Sequence, residues 1–250
     1  MIRADLSGKT ALVTGASSGF GAHFSKVLAF AGARVVAAAR REERLASLVK
    51  DIEAGGGRAS AMKLDVGDEA AVAGAFEELG AVDIVVNNAG VSGASRAMDT
   101  PAEEWRWTYD VNVHGVFFVA QAAAQRMLAA GRGGSIINVA SITSFRPAAG
   151  NAAYASSKAA VAHLTRCLAL DWARHEIRVN ALAPGYFETD INRDFLASDY
   201  GQKMIRRIPQ RRTGEMRDLD GPLLLLASDA SAYMTGACLA VDGGHLCAAL

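Results

Sequence analysis

Short apolar runs alternate with longer segments along most of the chain. The runs have the length of buried strands, and the longer segments repeat apolar residues every three or four positions, as amphipathic helices do. The pattern predicts seven strands, at Ala11–Val13, Arg34–Ala38, Ala59–Leu64, Val82–Val86, Ser135–Val139, Arg178–Leu182 and Ala237–Val241. It predicts helices between them, at Ala22–Ala31, Glu42–Ala54, Glu69–Leu79, Ala152–Arg174 and Asp218–Leu226.

Strands that alternate with helices form βαβ units, whose strands run parallel and are covered on both faces. We therefore predict an α/β fold with a doubly wound, seven-stranded parallel sheet flanked by helices on both faces. The chain shows no internal repeat and no linker. Residues 1–250 thus suit a single domain, which a core of this size can support.

Two stretches carry further local signals. Thr100-Pro101-Ala102-Glu103 offers an N-cap, a proline at the first helical position and a glutamate two residues later, as in a capping box. Residues 185–213 break the regular alternation and mix aromatic with charged side chains. A long irregular segment inside a compact domain is often a binding loop or lid, and the alternative is a surface insertion.

Charge and cysteine content exclude several classes of partner. The chain has 26 basic and 26 acidic residues, which predicts neither nucleic acid nor an anionic membrane as a partner. Three widely spaced cysteines argue against a disulfide framework, and the histidines show no metal-ligand spacing, so no metal is predicted. We find no secretory signal and no apolar run approaching the ~20 residues of a membrane span, so a cytoplasmic location is predicted.

A glycine-rich loop follows the first predicted strand and opens the first helix, in the stretch Thr14–Gly21. Glycines let the backbone turn tightly and approach a pyrophosphate, and the helix N-terminus supplies N–H groups. The spacing is Gly-x-x-x-Gly-x-Gly, and a purely structural turn is the alternative reading. The candidate phosphate-binding residues are Gly15, Ser17, Ser18, Gly19, Phe20 and Gly21.

The end of the second predicted strand bears on the choice of cofactor. NAD-selective sites usually place an acid there to hold the ribose 2′-hydroxyl. This chain has Arg40 and Arg41 instead, and a guanidinium, Arg40 above all, can pair with a 2′-phosphate. We therefore predict NADP(H) rather than NAD(H), the alternative being that both arginines begin a solvated helix.

Tyr154 and Lys158 are four residues apart, so on a helix they share one face. A free tyrosine, with a pKa near ~10, is a poor acid or base at neutral pH. A nearby cation favours the phenolate and lowers that pKa. The pair therefore predicts a side chain able to exchange a proton with an alcohol or carbonyl oxygen. The alternative is a solvated lysine one turn beyond a half-buried tyrosine.

The order of these motifs resembles the short-chain dehydrogenase/reductase family, in its branch with chains of this length. The match spans the whole chain, and it implies a Rossmann-like fold and hydride transfer to or from a nicotinamide cofactor. The interval between Ser141 and Tyr154 is the one the family uses. The matching elements are Gly15–Gly21, Asp65-Val66, Asn87–Gly90, Asn112, Ser141, Tyr154, Lys158, Pro184-Gly185 and Thr189.

The resemblance implies a role for each catalytic candidate. Tyr154 is expected to be the general acid/base, and Ser141 to hold the same substrate oxygen. Lys158 is expected to lower the pKa of the tyrosine and to bind the nicotinamide ribose. Asn112, in a long helix, is expected to hold a water that links Lys158 to solvent.

The resemblance also implies further cofactor contacts. Asp65 and Val66 are expected beside the adenine. The crevice at the strand ends is expected to be lined by Asn87, Asn88, Ala89, Gly90, Pro184 and Gly185. Phe187 and Thr189 are expected at the carboxamide. Relatives are usually homotetramers, which is the expected assembly here.

The predicted function is therefore an NADP(H)-dependent carbonyl reductase or alcohol dehydrogenase acting on a small molecule. One alternative is reduction of 3-oxoacyl groups on acyl carrier protein, for which Arg132 is a candidate basic contact. The remote alternative is a non-catalytic dinucleotide-binding regulator. We expect a moderately apolar, uncharged substrate from the residues predicted to line the pocket: Thr143, Phe145, Ala148, Asn151, Tyr186 and the region of Phe195.

Overall fold

A computed structural model describes residues 4–93, 95–188 and 193–248, excluding the side chains of residues 193 and 195. Its strands are β1 (Thr10–Thr14), β2 (Arg34–Ala39), β3 (Arg58–Lys63), β4 (Ile84–Asn87), β5 (Gly134–Val139), β6 (Ile177–Pro184) and β7 (Cys238–Val241). Its helices are α1 (Gly19–Phe30), α2 (Glu42–Ala54), α3 (Glu69–Leu79), α4 (Ala102–Tyr109), α5 (Gly115–Ala129), α6 (Ala152–Trp172), α7 (Arg193–Ala197), α8 (Asp199–Ile205) and α9 (Asp220–Ala227).

The seven strands form one parallel sheet in the order β3-β2-β1-β4-β5-β6-β7. The predicted Rossmann-like α/β fold is confirmed, and each predicted strand is present with ends shifted by one or two residues. The chain moves outward from β1 to β3, then returns to pair β4 with the other side of β1. This reversal is the topological switch point, where ligands bind at the carboxyl ends of the strands.

Alternate residues of the strands serve two separate cores, because successive side chains in a strand point to opposite faces. Val13 and Val86 pack with Phe24 of α1 on one face. Leu12 and Val85 pack with helices α3, α5 and α6 on the other. Burial on both faces explains why the inner strands are continuous apolar runs, whereas the edge strand β3 has no buried residue.

The predicted capping box at residues 100–103 is wrong. Pro101, in extended geometry, occupies the N-cap of α4. The Thr100 hydroxyl donates to the Arg96 carbonyl at 2.9 Å, and α4 has no side-chain cap hydrogen bond within the described ranges. A loop carbonyl outcompetes the helix end for this side chain, as often happens for serine and threonine.

The stretch between residues 185 and 213 is more regular than predicted. It contains the short helices α7 and α8, and an isolated bridge joins Phe187 to Gly214. Across the described ranges, no helix combines the length and the apolar character that crossing a bilayer requires. The lid assigned to residues 185–213 stays a prediction.

Candidate active site

The candidate residues collect at the carboxyl ends of four strands. The glycine loop follows β1, residues 88–90 follow β4, Ser141 follows β5 and Gly185 follows β6. Lys158 reaches this edge from α6, since its Nζ lies 2.7 Å from the carbonyl of Val139, the last residue of β5. The switch point therefore brings the separate sequence motifs into one crevice.

Thr14 ties the end of β1 to the loop after β4. Its Oγ1 accepts hydrogen bonds from the backbone N–H groups of Asn88 and Ala89, each at 3.1 Å. The Asn88 side-chain amide donates to the carbonyls of Thr14, at 2.9 Å, and Gly15, at 3.3 Å. Gly15 has φ +65°, and a Cβ there would lie 2.8 Å from Ala89 Cα. This close approach and left-handed backbone both require glycine.

The start of α1 has the properties of an anion site. Ser18 is its N-cap and makes no side-chain cap hydrogen bond within the described ranges. Gly19 has φ +52°, and no atom of the described residues lies within 4 Å of a Cβ built there. The first N–H groups of a helix lack intrahelical acceptors and attract phosphates. These residues therefore fit the pyrophosphate of a dinucleotide.

Arg41 bridges the end of β2 and the glycine loop. Its Nη2 donates to Ser17 Oγ at 2.8 Å and to Ser18 Oγ at 3.0 Å. Arg40, predicted to be the main contact of a 2′-phosphate, instead faces Asp65 at 3.7 Å in an exposed ion pair. Arg41 thus supplies the positive charge beside Ser18, a position that itself carries no basic residue.

The side chain of Lys158 is buried, and polar atoms of the protein surround its Nζ. Its Nζ donates to the Val139 carbonyl, and its own carbonyl accepts from Ser144 Oγ at 2.7 Å. A Cβ at Gly90 would lie 3.3 Å from Lys158 Nζ and 3.4 Å from Asn112 Oδ1. Burial lowers the pKa of Lys158 to about 8, because a low-dielectric interior disfavours the charged form.

Asn112 lies in a π-helical turn (Asp110–His114) that joins α4 to α5, rather than inside a regular helix. Its side chain accepts from the Val91 N–H at 2.8 Å. It donates to the Val91 carbonyl at 2.9 Å and to Ser157 Oγ at 3.0 Å. Asn112 therefore fastens the loop after β4 to α6, and a water relay at this residue stays a prediction.

Tyr154 occupies the first turn of α6 beside Ser141. Burial raises the pKa of Tyr154 above its ordinary value of 10.0, a hydrogen bond with Ser141 acts in the opposite direction, and Tyr186 adds to the rise. The Lys158 Nζ lies 5.8 Å from the centre of the Tyr154 ring. The predicted lowering of this pKa is therefore absent from the structure, since the ammonium bonds to a carbonyl beside the ring.

Two predicted cofactor contacts have buried side chains. The amide of Asn87 lies inside the sheet, donating to Asn138 Oδ1 at 3.0 Å and to the Val116 carbonyl at 3.3 Å. The ring of Phe187 is 2% exposed and packs edge-on against Phe20 at 5.5 Å between centroids. Any contact of these residues with a cofactor would involve their backbone groups.

The remaining cofactor candidates differ in where they lie: one is buried, two lie at the end of β6, and one is outside the described residues. Val66 is buried and packs against Gly115. Pro184 ends β6, and the N–H of Gly185 donates to the Val241 carbonyl at 2.9 Å. Thr189 lies outside the described residues.

Three polar atoms on the substrate side are buried without a hydrogen-bond partner among the described residues. They are Thr143 Oγ1, Asn151 Oδ1 and His245 Nδ1. Asn151 is the N-cap of α6, yet its side chain does not cap the helix. Because buried polar groups are nearly always paired, each of these atoms has room for a hydrogen bond from bound water or from a polar ligand; Asn87 Oδ1, inside the sheet, is also buried without a partner in the described ranges.

Sequence reasoning missed several residues of the site. Ser157 links Asn112 to the Tyr154 carbonyl, to which it donates at 2.7 Å. His245 stacks on Tyr186 at 5.6 Å between ring centres, although the two are far apart in sequence. The Gly243-Gly244 pair before His245 signals a turn, but no local pattern shows where that turn packs.

Comparisons with known proteins show which family the chain resembles. The family model for short chain dehydrogenases matches residues 9–199. Gluconate 5-dehydrogenase of Gluconobacter oxydans is 40% identical over 244 residues, covering 96% of this chain and 95% of the relative. 3beta-hydroxysteroid dehydrogenase 1 of Eggerthella lenta is 41% identical over 246 residues, covering 96% of this chain and 94% of the relative.

A solved structure is similarly close. The gluconate 5-dehydrogenase of Burkholderia cenocepacia J2315, in complex with NADP and tartrate, superposes with a TM-score of 0.94. The two chains share 39% identity, and the match covers 99% of this chain and 98% of the other.

Proposed function

Because the chain belongs to the short-chain dehydrogenase/reductase family, we propose that it is an NADP(H)-dependent oxidoreductase that interconverts a ketone and a secondary alcohol. The observation that carries the proposal is the meeting of Ser141, Tyr154 and Lys158 at the crevice edge. The same edge holds an uncapped helix start and a glycine that leaves open space beside it.

The protein contributes a proton and orientation to this reaction. When bound, the nicotinamide cofactor supplies or accepts the hydride. Tyr154 carries its proton at neutral pH, as an ordinary tyrosine does, and its hydroxyl beside Ser141 is the group that would donate that proton to a carbonyl oxygen. Ser141 Oγ accepts from the Thr143 N–H at 3.1 Å, which leaves its own hydrogen to bond to Tyr154 or to the substrate oxygen.

Lys158 completes the proton path in this proposal. With a pKa of about 8, its side chain can exchange a proton near neutral pH, which an ordinary lysine does poorly. Its fixed position beside Gly90 and Asn112 places that exchange at the bottom of the crevice. Binding of the cofactor ribose by the same side chain remains part of the proposal.

NADP(H) is favoured over NAD(H) by the charges around the glycine loop. Arg41 holds a guanidinium against Ser17 and Ser18, and Arg40 stands beside it. No carboxylate occupies the last position of β2, which is Ala39. The similar B. cenocepacia enzyme was crystallised with NADP.

A sugar acid or related polyol is the substrate class that the pocket supports best. Thr143 and Asn151 each present a buried oxygen without a partner in the described chain, which favours a polar ligand over the apolar one expected from the sequence. Two of the similar proteins are gluconate 5-dehydrogenases, and one of these was crystallised with tartrate. A steroid substrate is the second candidate, since a similar protein is a hydroxysteroid dehydrogenase.

The acyl-carrier alternative has less support. Arg132, its candidate basic contact, pairs with Asp83 at 3.3 Å. Asp83 precedes β4, so the guanidinium lies at the amino ends of the strands, opposite the crevice. A regulator without catalysis would have no use for the Ser141–Tyr154 pair.

The assembly and location are also proposals. Leu128 of α5 is 55% exposed and Leu170 of α6 is 82% exposed, so these helices present apolar side chains that a homotetramer would bury. Light scattering that shows a monomer at working concentration would contradict the tetramer. The cytoplasmic location rests on the sequence.

A substrate panel tests the proposed function. We expect nicotinamide absorbance to change with NADP⁺ and aldonates, gluconate first, and more slowly with hydroxysteroids or simple secondary alcohols. Faster turnover of steroids than of any aldonate would favour the second candidate. No turnover of any alcohol with NADP⁺, nor of any ketone with NADPH, would overturn the oxidoreductase assignment.

A further inference from the structure

We infer that His245 determines substrate specificity by hydrogen-bonding, through Nδ1, an oxygen of a hydroxy acid substrate far from its reacting carbon. This inference rests on the proposed function and adds to it a residue outside the motifs that the family resemblance supplied. His245 follows β7 in a short 3₁₀ turn, His245–Cys247, near the end of the chain.

The turn that carries His245 is rigidly built. The Asp242 carboxylate accepts from the N–H of Gly244 at 2.9 Å and from the N–H of Leu246 at 2.7 Å. A Cβ at Gly185 would lie 2.8 Å from Asp242 Cα, so the turn packs closely on the end of β6. These hydrogen bonds hold the backbone on both sides of His245.

Residues 209–210, which precede α9, pack against the same turn. Gly243 and Gly244 have φ +62° and +86°, which lets their backbone approach another chain segment closely. A Cβ at Gly244 would come 3.2 Å from Pro209, and the N–H of Gln210 donates to the Gly243 carbonyl at 3.1 Å. The His245 turn and the end of the 185–213 segment are therefore one packed unit.

One aromatic ring separates His245 from the reacting hydroxyl. The rings of His245 and Tyr186 lie 5.6 Å apart at 35°. Tyr186 is close enough to Tyr154 to raise its pKa. A substrate whose oxygen bonds to Tyr154 would therefore extend past Tyr186 toward His245.

The chemistry of His245 suits a hydroxylated anion. Its Nδ1 is buried and has no hydrogen-bond partner among residues 4–93, 95–188 and 193–248. Burial and the cations Arg146 and Arg207 lower the pKa of His245, while Asp242 raises it. Whichever tautomer the neutral ring adopts, a hydroxyl group can pair with Nδ1, because a hydroxyl both donates and accepts. The two guanidinium groups on this side favour a carboxylate on the same ligand.

A ring-conserving substitution tests the inference. His245→Phe keeps an aromatic ring on Tyr186 and removes Nδ1, whereas His245→Asn places polar atoms near that position. With gluconate and NADP⁺, we expect His245→Phe to raise KM about ten-fold with a smaller change in kcat, and His245→Asn to restore part of the loss. Butan-2-ol has no oxygen far from its reacting carbon. Its kcat/KM should therefore change by less than about two-fold in either variant.

Cys247→Ser provides the control, since Cys247 is exposed on the same turn and should leave both substrates unaffected. Equal losses for gluconate and butan-2-ol would show a structural role and overturn the inference. An unchanged KM for every aldonate in His245→Phe would also overturn it, as would a wild-type enzyme that oxidises butan-2-ol but no aldonate. A wild-type protein that oxidises neither would instead refute the proposed function.

Discussion

The two ends of the crevice differ in how their polar groups are satisfied. At the cofactor end, Thr14 and Asn88 bond to each other's backbone, and Arg41 bonds to Ser17 and Ser18. At the substrate end, Thr143 Oγ1 and the nearby Asn151 Oδ1 are buried without partners in the described ranges. The cofactor end is held mostly by hydrogen bonds within the protein, although Asn87 Oδ1 is buried there without a partner in the described ranges, whereas the substrate end leaves more of its buried polar atoms for a ligand.

This difference matches what each end has to recognise. A pyrophosphate needs backbone N–H groups held in place, and a self-satisfied network holds them. A substrate is recognised by groups whose bonds are left for it, and leaving them unpaired penalises ligands that cannot bond. Substitutions should therefore affect folding and cofactor binding at one end and reaction or selectivity at the other.

Replacing the reacting hydroxyl should have the largest effect. We expect Tyr154→Phe to lower kcat by about 10³-fold, because general acid/base catalysis is typically worth 10²–10⁴. NADPH affinity, measured by fluorescence titration, should stay nearly unchanged. Tyr109→Phe is the matched control, since the Tyr109 hydroxyl bonds to Ser156. Retained turnover in Tyr154→Phe would remove the tyrosine from the mechanism.

The next effect is a pH dependence of stability caused by Lys158. Its folded pKa of about 8 lies below the ordinary 10.5, so between these values the unfolded chain binds more protons. Stability therefore rises with pH across this window, and the cost of burying the charge is fully present below about pH 8.

We expect the wild type to gain about 3 kcal/mol relative to Lys158→Met between pH 8 and 10.5, since a pKa unit is worth about 1.4 kcal/mol. Urea unfolding of both proteins across that range measures the difference. A pH-independent difference would mean that Lys158 titrates normally in the folded protein.

Substitutions at two glycines of the loop, Gly15 and Gly19, should separate an effect on folding from an effect on cofactor binding. Gly15→Ala should lower the free energy of unfolding by about 2 kcal/mol or more, because left-handed geometry costs 1–2 kcal/mol and its Cβ meets Ala89. Gly19→Ala should cost about 1 kcal/mol in stability, yet weaken NADPH binding, because its Cβ enters open space. If Gly19→Ala mainly lowered stability and Gly15→Ala mainly weakened NADPH binding, the proposed position of the pyrophosphate would be contradicted.

The smallest predicted effect concerns the two arginines. Arg41→Ala should weaken NADPH binding by about ten-fold and leave NADH binding unchanged, because a charge-assisted contact is worth about 1.5 kcal/mol or more. Arg40→Ala should have less effect, since Arg40 faces Asp65 and is 59% exposed. A larger loss in Arg40→Ala would restore the assignment first made from the sequence.

The fold was predictable because its signals are local. Continuous apolar runs gave the strands, since both faces of the sheet are covered, and the glycine loop marked the start of α1. The local pattern failed at Thr100, which does not cap α4 as predicted and whose hydroxyl donates to a loop carbonyl. Competition of this kind depends on neighbours that the sequence pattern does not reveal.

The candidate site was predictable where motifs specify it and not elsewhere. Burial set the pKa of Tyr154 in a direction opposite to the one inferred from the Lys158 charge alone. Arg41 reaches the loop only because β2 lies beside β1. His245 joins the substrate side through a turn packed on residues 208–210, a contact that sequence separation hides.

Transfer of deuterium tests the central claim most directly. The purified protein would be given a ketone that it reduces and NADPH deuterated at the transferable C4 position, and the product examined by mass spectrometry and NMR. We predict deuterium on the former carbonyl carbon, and its transfer about 10³-fold slower in Tyr154→Phe. Consumption of NADPH with no deuterium at that carbon would contradict direct hydride transfer in this crevice.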